Sequence, residues 1–172
     1  GVNVRHTVLH AFDGNGNQIS TTDADGHTST TAFDRNGRAV LVTDANGNQI
    51  AYRYDSRGNR VEVMAGVVAH LDATGTLVID NLAKAQVATY AYDGFNQVSS
   101  RTDALGKTER YTYDRVGNRT AVTDRLGRTT GFVYDTLNRL TQQTDALGGV
   151  TGQRYDAVEA QIGVPAAEGL AD

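Results

Sequence analysis

The chain has 172 residues, a length that corresponds to one domain or to a piece of a longer repetitive protein. It contains 19 Gly but 1 Pro, 0 Cys and 0 Trp, which excludes disulfides, thiol catalysis and cysteine-based metal sites. The net charge of -4 argues against electrostatically driven nucleic-acid binding, and no apolar run is long enough for a membrane-spanning helix.

The sequence is periodic. An aromatic residue followed by Asp alternates with Thr followed by Asp, and the steps between successive Asp positions are 10 and 11 in turn, which gives a full period of 21. Such self-similarity predicts an array of small structural units. The aromatic–Asp pairs begin at Phe12, Phe33, Tyr54, Tyr92, Tyr113, Tyr134 and Tyr155, and the Thr–Asp pairs begin at Thr22, Thr43, Thr102, Thr123 and Thr144.

The first block of repeats occupies residues 1–60. Here Asp is followed three residues later by Gly and then by a polar residue, as in Asp34 with Gly37 and Asp55 with Gly58. Gly supplies the positive φ that a turn requires, and Asp accepts hydrogen bonds from turn amides, so these pairs predict hairpin turns. The spacing of Tyr52 and Tyr54 places both rings on one face of a strand, where they could face a partner.

Residues 61–89 interrupt the pattern. Asp72 lies one full period before Asp93 and is therefore in phase with it, but it is out of phase with Asp55. We interpret this segment as a degenerate repeat or an insertion.

The second block occupies residues 90–157. Its turns are predicted at Asp114 with Gly117 and at Asp124 with Gly127, while Asn138 stands where Gly is expected. Its aromatic positions that could face a partner are Tyr111, Tyr113 and Tyr134. Residues 158–172 lose the pattern and form a non-repeat tail.

Short segments rich in Thr, Val, Tyr and Arg between regular turns predict an all-β fold. We expect an antiparallel strip of β-hairpin repeats, with the aromatic–Asp turns along one rim and the Thr–Asp turns along the other. Because open sheets of this width rarely stay flat, the strip is expected to curl or to belong to a larger closed wall. Exposed terminal strands favour self-association through the sheet edges.

The chemistry of the turns is interpreted as structural. Asp13 and Asp44 begin segments that match the first ligands of a calcium loop, yet both lack its later Gly, so a structural turn is favoured over a calcium site. His6 and His10 would lie too far apart on a strand to share a metal, and His27 and His70 are isolated in the sequence. No cofactor is predicted, and catalysis does not require twelve copies of one carboxylate, so the chain is not expected to be an enzyme.

The tyrosine rows allow two interpretations. Packing is favoured, with paired aromatic rings and arginine stems replacing the missing aliphatic residues. The alternative is contact with a glycan or another partner, because aromatic faces stack on sugar rings.

The unit Tyr-Asp-x-x-Gly-(Arg/Asn), followed by Thr-Asp-x-x-Gly, resembles the YD repeat of the RHS family. Residues 113–118 followed by 123–128 carry the complete motif, and residues 33–38 followed by Thr43 and Asp44 carry a Phe variant. The resemblance covers roughly residues 10–60 and 90–157.

This resemblance implies a β-strip that spirals into a hollow shell around a toxin polypeptide. The implied partners are the remainder of the same shell and the enclosed toxin chain, and the implied location is outside the cell or at the bacterial surface. The expected role is non-catalytic containment and delivery, and the alternative is a carbohydrate- or partner-binding adhesion module at the cell surface.

Overall fold

The computed structural model describes residues 7–155 and the strand at residues 161–163. The chain divides into two compact units, residues 1–89 and 90–172. The first unit contains β1 (Leu9–Phe12), β2 (Gln18–Thr22), β3 (Thr28–Phe33), β4 (Ala39–Thr43), β5 (Gln49–Tyr54), β6 (Arg60–Val67), β7 (Ala69–Leu71), β8 (Leu77–Ile79) and a short 3₁₀ helix (Leu82–Lys84).

Strand β9 (Gln86–Tyr92) begins in the first unit and ends in the second. The second unit continues with β10 (Val98–Thr102), β11 (Thr108–Tyr113), β12 (Arg119–Thr123), β13 (Thr129–Tyr134), β14 (Leu140–Thr144), β15 (Val150–Gly152), β16 (Arg154–Tyr155) and β17 (Gln161–Gly163).

Thirteen strands form one sheet in the order β1 to β6 followed by β9 to β15. The other four form two small hairpins, β7 with β8 and β16 with β17. The predicted all-β strip of antiparallel hairpin repeats is confirmed. No helix in the described part of the chain is both long enough and apolar enough to cross a membrane.

The alternation of a longer and a shorter step between the Asp positions has a structural cause. The strands that lead into aromatic–Asp turns, such as β3 and β11, have six residues, whereas those that lead into Thr–Asp turns, such as β4 and β12, have five. At the aromatic rim the pairing shifts by one residue: Ala32 faces Leu41 but Phe33 faces Ala39. The Thr–Asp hairpin between β4 and β5 shows no such shift. The residue left unpaired by this shift is Val40, in the shorter strand that follows the aromatic–Asp turn, so a β-bulge lies at one rim only.

The hydrophobic core lies in the first unit, under the β7–β8 hairpin. One row of residues crosses five neighbouring strands, and its members pair in sequence. Ala51 and Met64, at the middle of this row, have 0% exposure, and Val67 and Ala69 are also buried. The complete row is Ala32, Leu41, Ala51, Met64 and Val87.

Polar contacts fasten the hairpin to the sheet. The Gln49 side chain accepts the Ala69 N–H at 2.8 Å and donates to the Ala69 carbonyl at 3.2 Å. At the hairpin tip, Arg35 donates to the Thr74 carbonyl at 3.0 Å. Residues 69–79 of the interrupted segment therefore supply the cover of the core.

The second unit has a different construction. None of residues 90–155 is buried, although most strand residues are partly covered by their neighbours. These residues form a single layer without a hydrophobic core of their own. Apart from the backbone of Gln161–Gly163, the predicted tail at residues 158–172 lies outside the described residues.

Candidate functional site

The repeated Asp residues build one type of hairpin turn. The backbone N–H of Asp34 donates to the Arg38 carbonyl at 2.9 Å, and the N–H of Gly37 donates back to the Asp34 carbonyl at 3.0 Å. The Asp34 carboxylate also accepts the N–H groups of Asn36 and Arg38, at 2.9 and 3.0 Å. Since Gly37 has a φ of +73°, this is a type I turn closed by a glycine bulge.

The structure places every turn residue singled out from the sequence in this geometry. The Asp residues occupy the first turn position, and the Gly residues occupy the fourth, with φ between +73° and +97°. Asn96 and Asn138 take the fourth position with φ of +63° and +62°. The residues concerned are Asp34, Gly37, Asp55, Gly58, Asp114, Gly117, Asp124 and Gly127. Asp72, in the interrupted segment, forms the same turn with Gly75.

The fifth turn residue closes each turn onto the Asp side chain. At Asp44 the amide of Asn48 donates to the second carboxylate oxygen at 2.8 Å, and this bond, with the backbone N–H of Asn48, lowers the pKa of Asp44. At Asp124 the guanidinium of Arg128 donates to the same oxygen at 2.7 Å and lowers the pKa of that carboxyl. The turn therefore stabilises the ionised carboxylate.

This arrangement leaves the calcium-like segments poorly suited to a cation. Both oxygens of Asp13 accept N–H groups, from Asn15 and Asn17, at 2.9 Å. A cation would have to displace these donors. The carboxylate of Asp44 is held in the same way.

Tyrosine hydroxyls join neighbouring strands along the aromatic rim. Each donates to the carbonyl of the residue 15 positions earlier, which begins the adjacent strand for the first three tyrosines below and begins β14 for Tyr155 of β16. The distances are 2.8 Å for Tyr54 to Ala39, 3.0 Å for Tyr113 to Val98, 3.1 Å for Tyr134 to Arg119 and 2.7 Å for Tyr155 to Leu140. The sequence predicted the position of these rings but not the bonds of their hydroxyls.

Guanidinium groups lie over the aromatic rings. Arg60 is 4.2 Å from the centre of the Tyr52 ring, and Arg38 is 4.7 Å from that of Tyr54. Arg119 lies 5.8 Å from the ring centres of both Tyr111 and Phe132. Burial, followed by a hydrogen bond to Glu109, raises the pKa of Tyr111.

These contacts favour the packing interpretation of the tyrosine rows, because arginine covers ring faces that a sugar would need. Glycan contact at Tyr52, Tyr54, Tyr111, Tyr113 and Tyr134 stays a prediction.

At the opposite rim, threonine pairs flank the turns. The hydroxyls of Thr22 and Thr28 are 2.8 Å apart, as are those of Thr102 and Thr108, while Thr123 and Thr129 are 2.9 Å apart. In these three hairpins the Thr of the Thr–Asp pair therefore bonds across the hairpin that its Asp closes.

The structure corrects the view of two histidines as isolated. His27 lies 3.1 Å from the Asp23 carboxylate, and His70 lies 3.2 Å from that of Asp80. Asp25 joins Asp23 and His27 in a cluster whose ligand-type atoms lie within 4.8 Å of one another, and all three side chains are exposed. The five-residue turn brings together groups that the sequence spacing alone did not connect. His6 lies outside the described residues.

Two open grooves lie between turns. One, of about 420 Å³, separates the turn at Asp34 from the β7–β8 tip, and the other, of about 390 Å³, lies between the turns at Asp114 and Asp135. Each of these carboxylates is already held by turn amides. The carboxylates that line these grooves are therefore not free to act as an acid–base pair.

The family model of the RHS repeat matches residues 33–66, 92–129, 113–150 and 134–158, which together make up more than half of the chain. The chain belongs to the RHS repeat family. The resemblance inferred from the YD motif is therefore confirmed. A search of curated proteins found no significant relative of this RHS repeat chain.

Among solved structures, the chain is similar to TcdB2-TccC3-Cdc42 and to TcdB2-TccC3, in each case with 17% identity and a TM-score of 0.42. It is also similar to the Tc holotoxin pore of Photorhabdus luminescens, with 17% identity and a TM-score of 0.41. These alignments cover 91% of this chain, which spans only 11% of the length of each matched chain.

Proposed function

We propose that this chain is a structural segment of an RHS/YD-type shell that encloses and delivers a toxin polypeptide. Its partners would be the remainder of the same shell and the enclosed chain, in an exported bacterial protein. Membership of the RHS repeat family supports this assignment.

The observation that carries the proposal is the single-layer construction of residues 90–155, none of which is buried. A sheet with no core of its own has two faces available, one for solvent and one for another polypeptide. The turns and the tyrosine and arginine contacts hold this layer together without a packed interior. A single layer of this kind is suited to form part of the wall of a shell.

The arrangement of the carboxylates supports a non-catalytic role. The same turn recurs at Asp34, Asp55, Asp114 and Asp124, and at each the carboxylate accepts backbone N–H groups. A catalytic acid or base needs one carboxyl group free to exchange a proton with substrate. These groups are instead committed to holding the backbone.

Protease protection in the longer protein that carries this segment tests the proposal. We expect the wild-type shell to protect its C-terminal polypeptide from an added protease. The double variant Gly117→Val and Gly127→Val should expose that polypeptide, because a β-branched residue strongly disfavours the positive φ of these turns. Equal digestion of the polypeptide in wild type and variant would contradict containment.

Gly94→Ala provides the matched control. Gly94 is the second residue of an aromatic–Asp turn, its φ is not in the left-handed region, and nothing lies within 4 Å of an added Cβ. Protection should therefore be retained in this variant.

A further inference from the structure

The dipeptide Asn–Gly occupies the third and fourth positions of three turns, all of them in the first unit. The asparagines are Asn15, Asn36 and Asn46, and all three are exposed. Each donates its backbone N–H to the Asp carboxylate of its turn. Asp25 occupies the same position of another turn and donates its N–H in the same way. The turn therefore does not depend on the side-chain amide of these asparagines.

An exposed side-chain amide followed by Gly is prone to spontaneous deamidation. The backbone nitrogen of the Gly attacks the side-chain carbonyl carbon of the Asn. A new C–N bond closes a succinimide ring, the C–N bond of the amide breaks, and ammonia leaves with the proton that the Gly nitrogen has lost. Water then opens the ring, so that Asn and water become Asp, or its β-linked isomer, and ammonia. Gly favours the attack because no Cβ stands beside its nitrogen.

The closed turn withholds the attacking nitrogen. The N–H of Gly47 donates to the Asp44 carbonyl at 3.0 Å, and the N–H of Gly37 donates to the Asp34 carbonyl at the same distance. The nitrogen can attack only after the turn opens, so the rate depends on the population of the open turn. Contacts that hold a turn to other parts of the chain should therefore slow the reaction.

Such contacts distinguish the second of the three turns. Arg35 donates to the Thr74 carbonyl at 3.0 Å. Arg38 donates to the Asp55 carbonyl at 3.3 Å, and its guanidinium lies 4.7 Å from the centre of the Tyr54 ring. Opening this turn breaks these contacts in addition to the hydrogen bonds within the turn, so its open state is less populated.

The first and third turns have a different composition. Residues 13–17 read Asp-Gly-Asn-Gly-Asn and residues 44–48 read Asp-Ala-Asn-Gly-Asn, so both have a small second residue and Asn as the fifth. The side-chain hydrogen bonds described for these two turns join residues of the same turn. Each can therefore open without breaking a side-chain bond to another turn.

We propose that Asn15 and Asn46 are sites of spontaneous deamidation and that Asn36, in the same dipeptide, is protected by the arginine contacts of its turn. Each conversion replaces a neutral amide with a carboxylate at a rim of the sheet and makes the first unit more negative. The α-linked product is an Asp, which the turn accommodates at Asp25. The β-linked product lengthens the backbone of the turn and so disturbs the hydrogen bond of the Gly N–H.

Peptide mass spectrometry of the full chain, incubated at mildly alkaline pH, measures the conversion at each site. The same chain unfolded in guanidinium chloride supplies the reference, in which all three sites should react. In the folded wild type we expect Asn36 to react at least about tenfold more slowly than Asn46, because additional contacts must break before its turn opens. Equal rates at Asn36 and Asn46 would overturn the proposal, as would the absence of conversion at either Asn15 or Asn46 when the unfolded chain is converted.

The double variant Arg35→Ala and Arg38→Asn provides the matched comparison, because it gives the turn of Asn36 the same five residues as the turn of Asn46. We expect the rates at the two sites to become similar. Both sites belong to one protein, so a general loss of stability accelerates both and does not by itself remove the difference between them. A ratio of rates that stays at its wild-type value would show that the arginine contacts do not protect Asn36 and would overturn the proposal.

Discussion

At the residue scale, two types of side chain make the contacts that recur in each repeat. The Asp carboxylate collects the amides of its turn, and the tyrosine hydroxyl reaches a carbonyl of the adjacent strand. Both partners of each bond come from within two neighbouring strands. One short motif can therefore be repeated along the chain without any change in its contacts.

Phe33→Tyr should stabilise the first unit. By the 15-residue relation of Tyr54 to Ala39, the new hydroxyl would donate to the carbonyl of Gln18, which begins the adjacent strand. We expect the free energy of unfolding to rise by about 0.5–1.5 kcal/mol, the usual contribution of one hydrogen bond. Urea unfolding measures it.

Tyr134→Phe is the reciprocal control. It removes the bond to Arg119 and should lower the free energy of unfolding by a similar amount. An unchanged or lower stability of Phe33→Tyr, alongside a destabilised Tyr134→Phe, would show that the two rim positions are not equivalent.

Sequence reasoning succeeded where the chemistry is local. Asp124 and Gly127 lie three residues apart, and their preferences alone predict a turn. The bond from Tyr134 to Arg119 depends on strand pairing and on the bulge, which no local preference specifies. The cluster of His27 with Asp23 and Asp25 was missed because its geometry follows from the turn, not from a known ligand spacing.

At the element scale, the β7–β8 hairpin distinguishes the two units. It covers Met64, which lies nine residues after Asp55. Thr144 lies at the equivalent place, nine residues after Asp135, but has no such cover and is half-buried. The repeat itself is compatible with an open face. An additional element is needed to make a core.

Met64→Ala should therefore be strongly destabilising. Met64 is fully buried between the sheet and the hairpin, so truncation leaves a cavity as well as losing buried surface. We expect the free energy of unfolding to fall by about 2–4 kcal/mol.

Thr144→Ala is the matched control at the equivalent, uncovered position and should change stability much less. Urea titrations of the two variants make the comparison. Equal losses in the two variants would argue that the hairpin adds no packing to the core.

The sequence revealed the hairpin turn but not where the hairpin packs. Asp72 and Gly75 carry the turn pattern, and the structure places a turn of the repeated type there. Its docking depends on Gln49 binding the backbone of Ala69, 20 residues later in the chain. That contact forms only once the sheet exists, and the periodicity of the sequence does not predict it.

At the scale of the whole molecule, the turn carboxylates act together. Ten of them have a lowered pKa, with the donors of their own turns among the causes: Asp13, Asp23, Asp34, Asp44, Asp55, Asp72, Asp103, Asp114, Asp124 and Asp135. Each shift is a local effect. Because the same shift recurs in ten turns, it affects the pH dependence of the stability of the whole chain.

Stability should consequently fall in acid. An unfolded Asp has a pKa of about 3.9, and the folded values lie lower, so the unfolded chain binds protons first as the pH drops. The contribution is complete above about pH 5 and is lost progressively as the pH falls through about 4 towards the lower folded values. The urea concentration at the midpoint of unfolding should decrease as the pH is lowered from about 5 to below about 4.

The double variant Asp44→Asn and Asp124→Asn removes two of these carboxylates and should show a smaller decrease than the wild type. A midpoint that stays constant on acidification would rule out the turn carboxylates as a source of stability.

The tyrosine bonds along one rim determine how such a chain can grow. Adding half a period would insert a single strand and bring every following tyrosine to the opposite margin, away from the carbonyl that its hydroxyl meets. Adding a whole period inserts a pair of strands and leaves all later contacts in place. Gene duplication can therefore add strands to the sheet only in pairs, and viable deletions from the sheet should also remove strands in pairs.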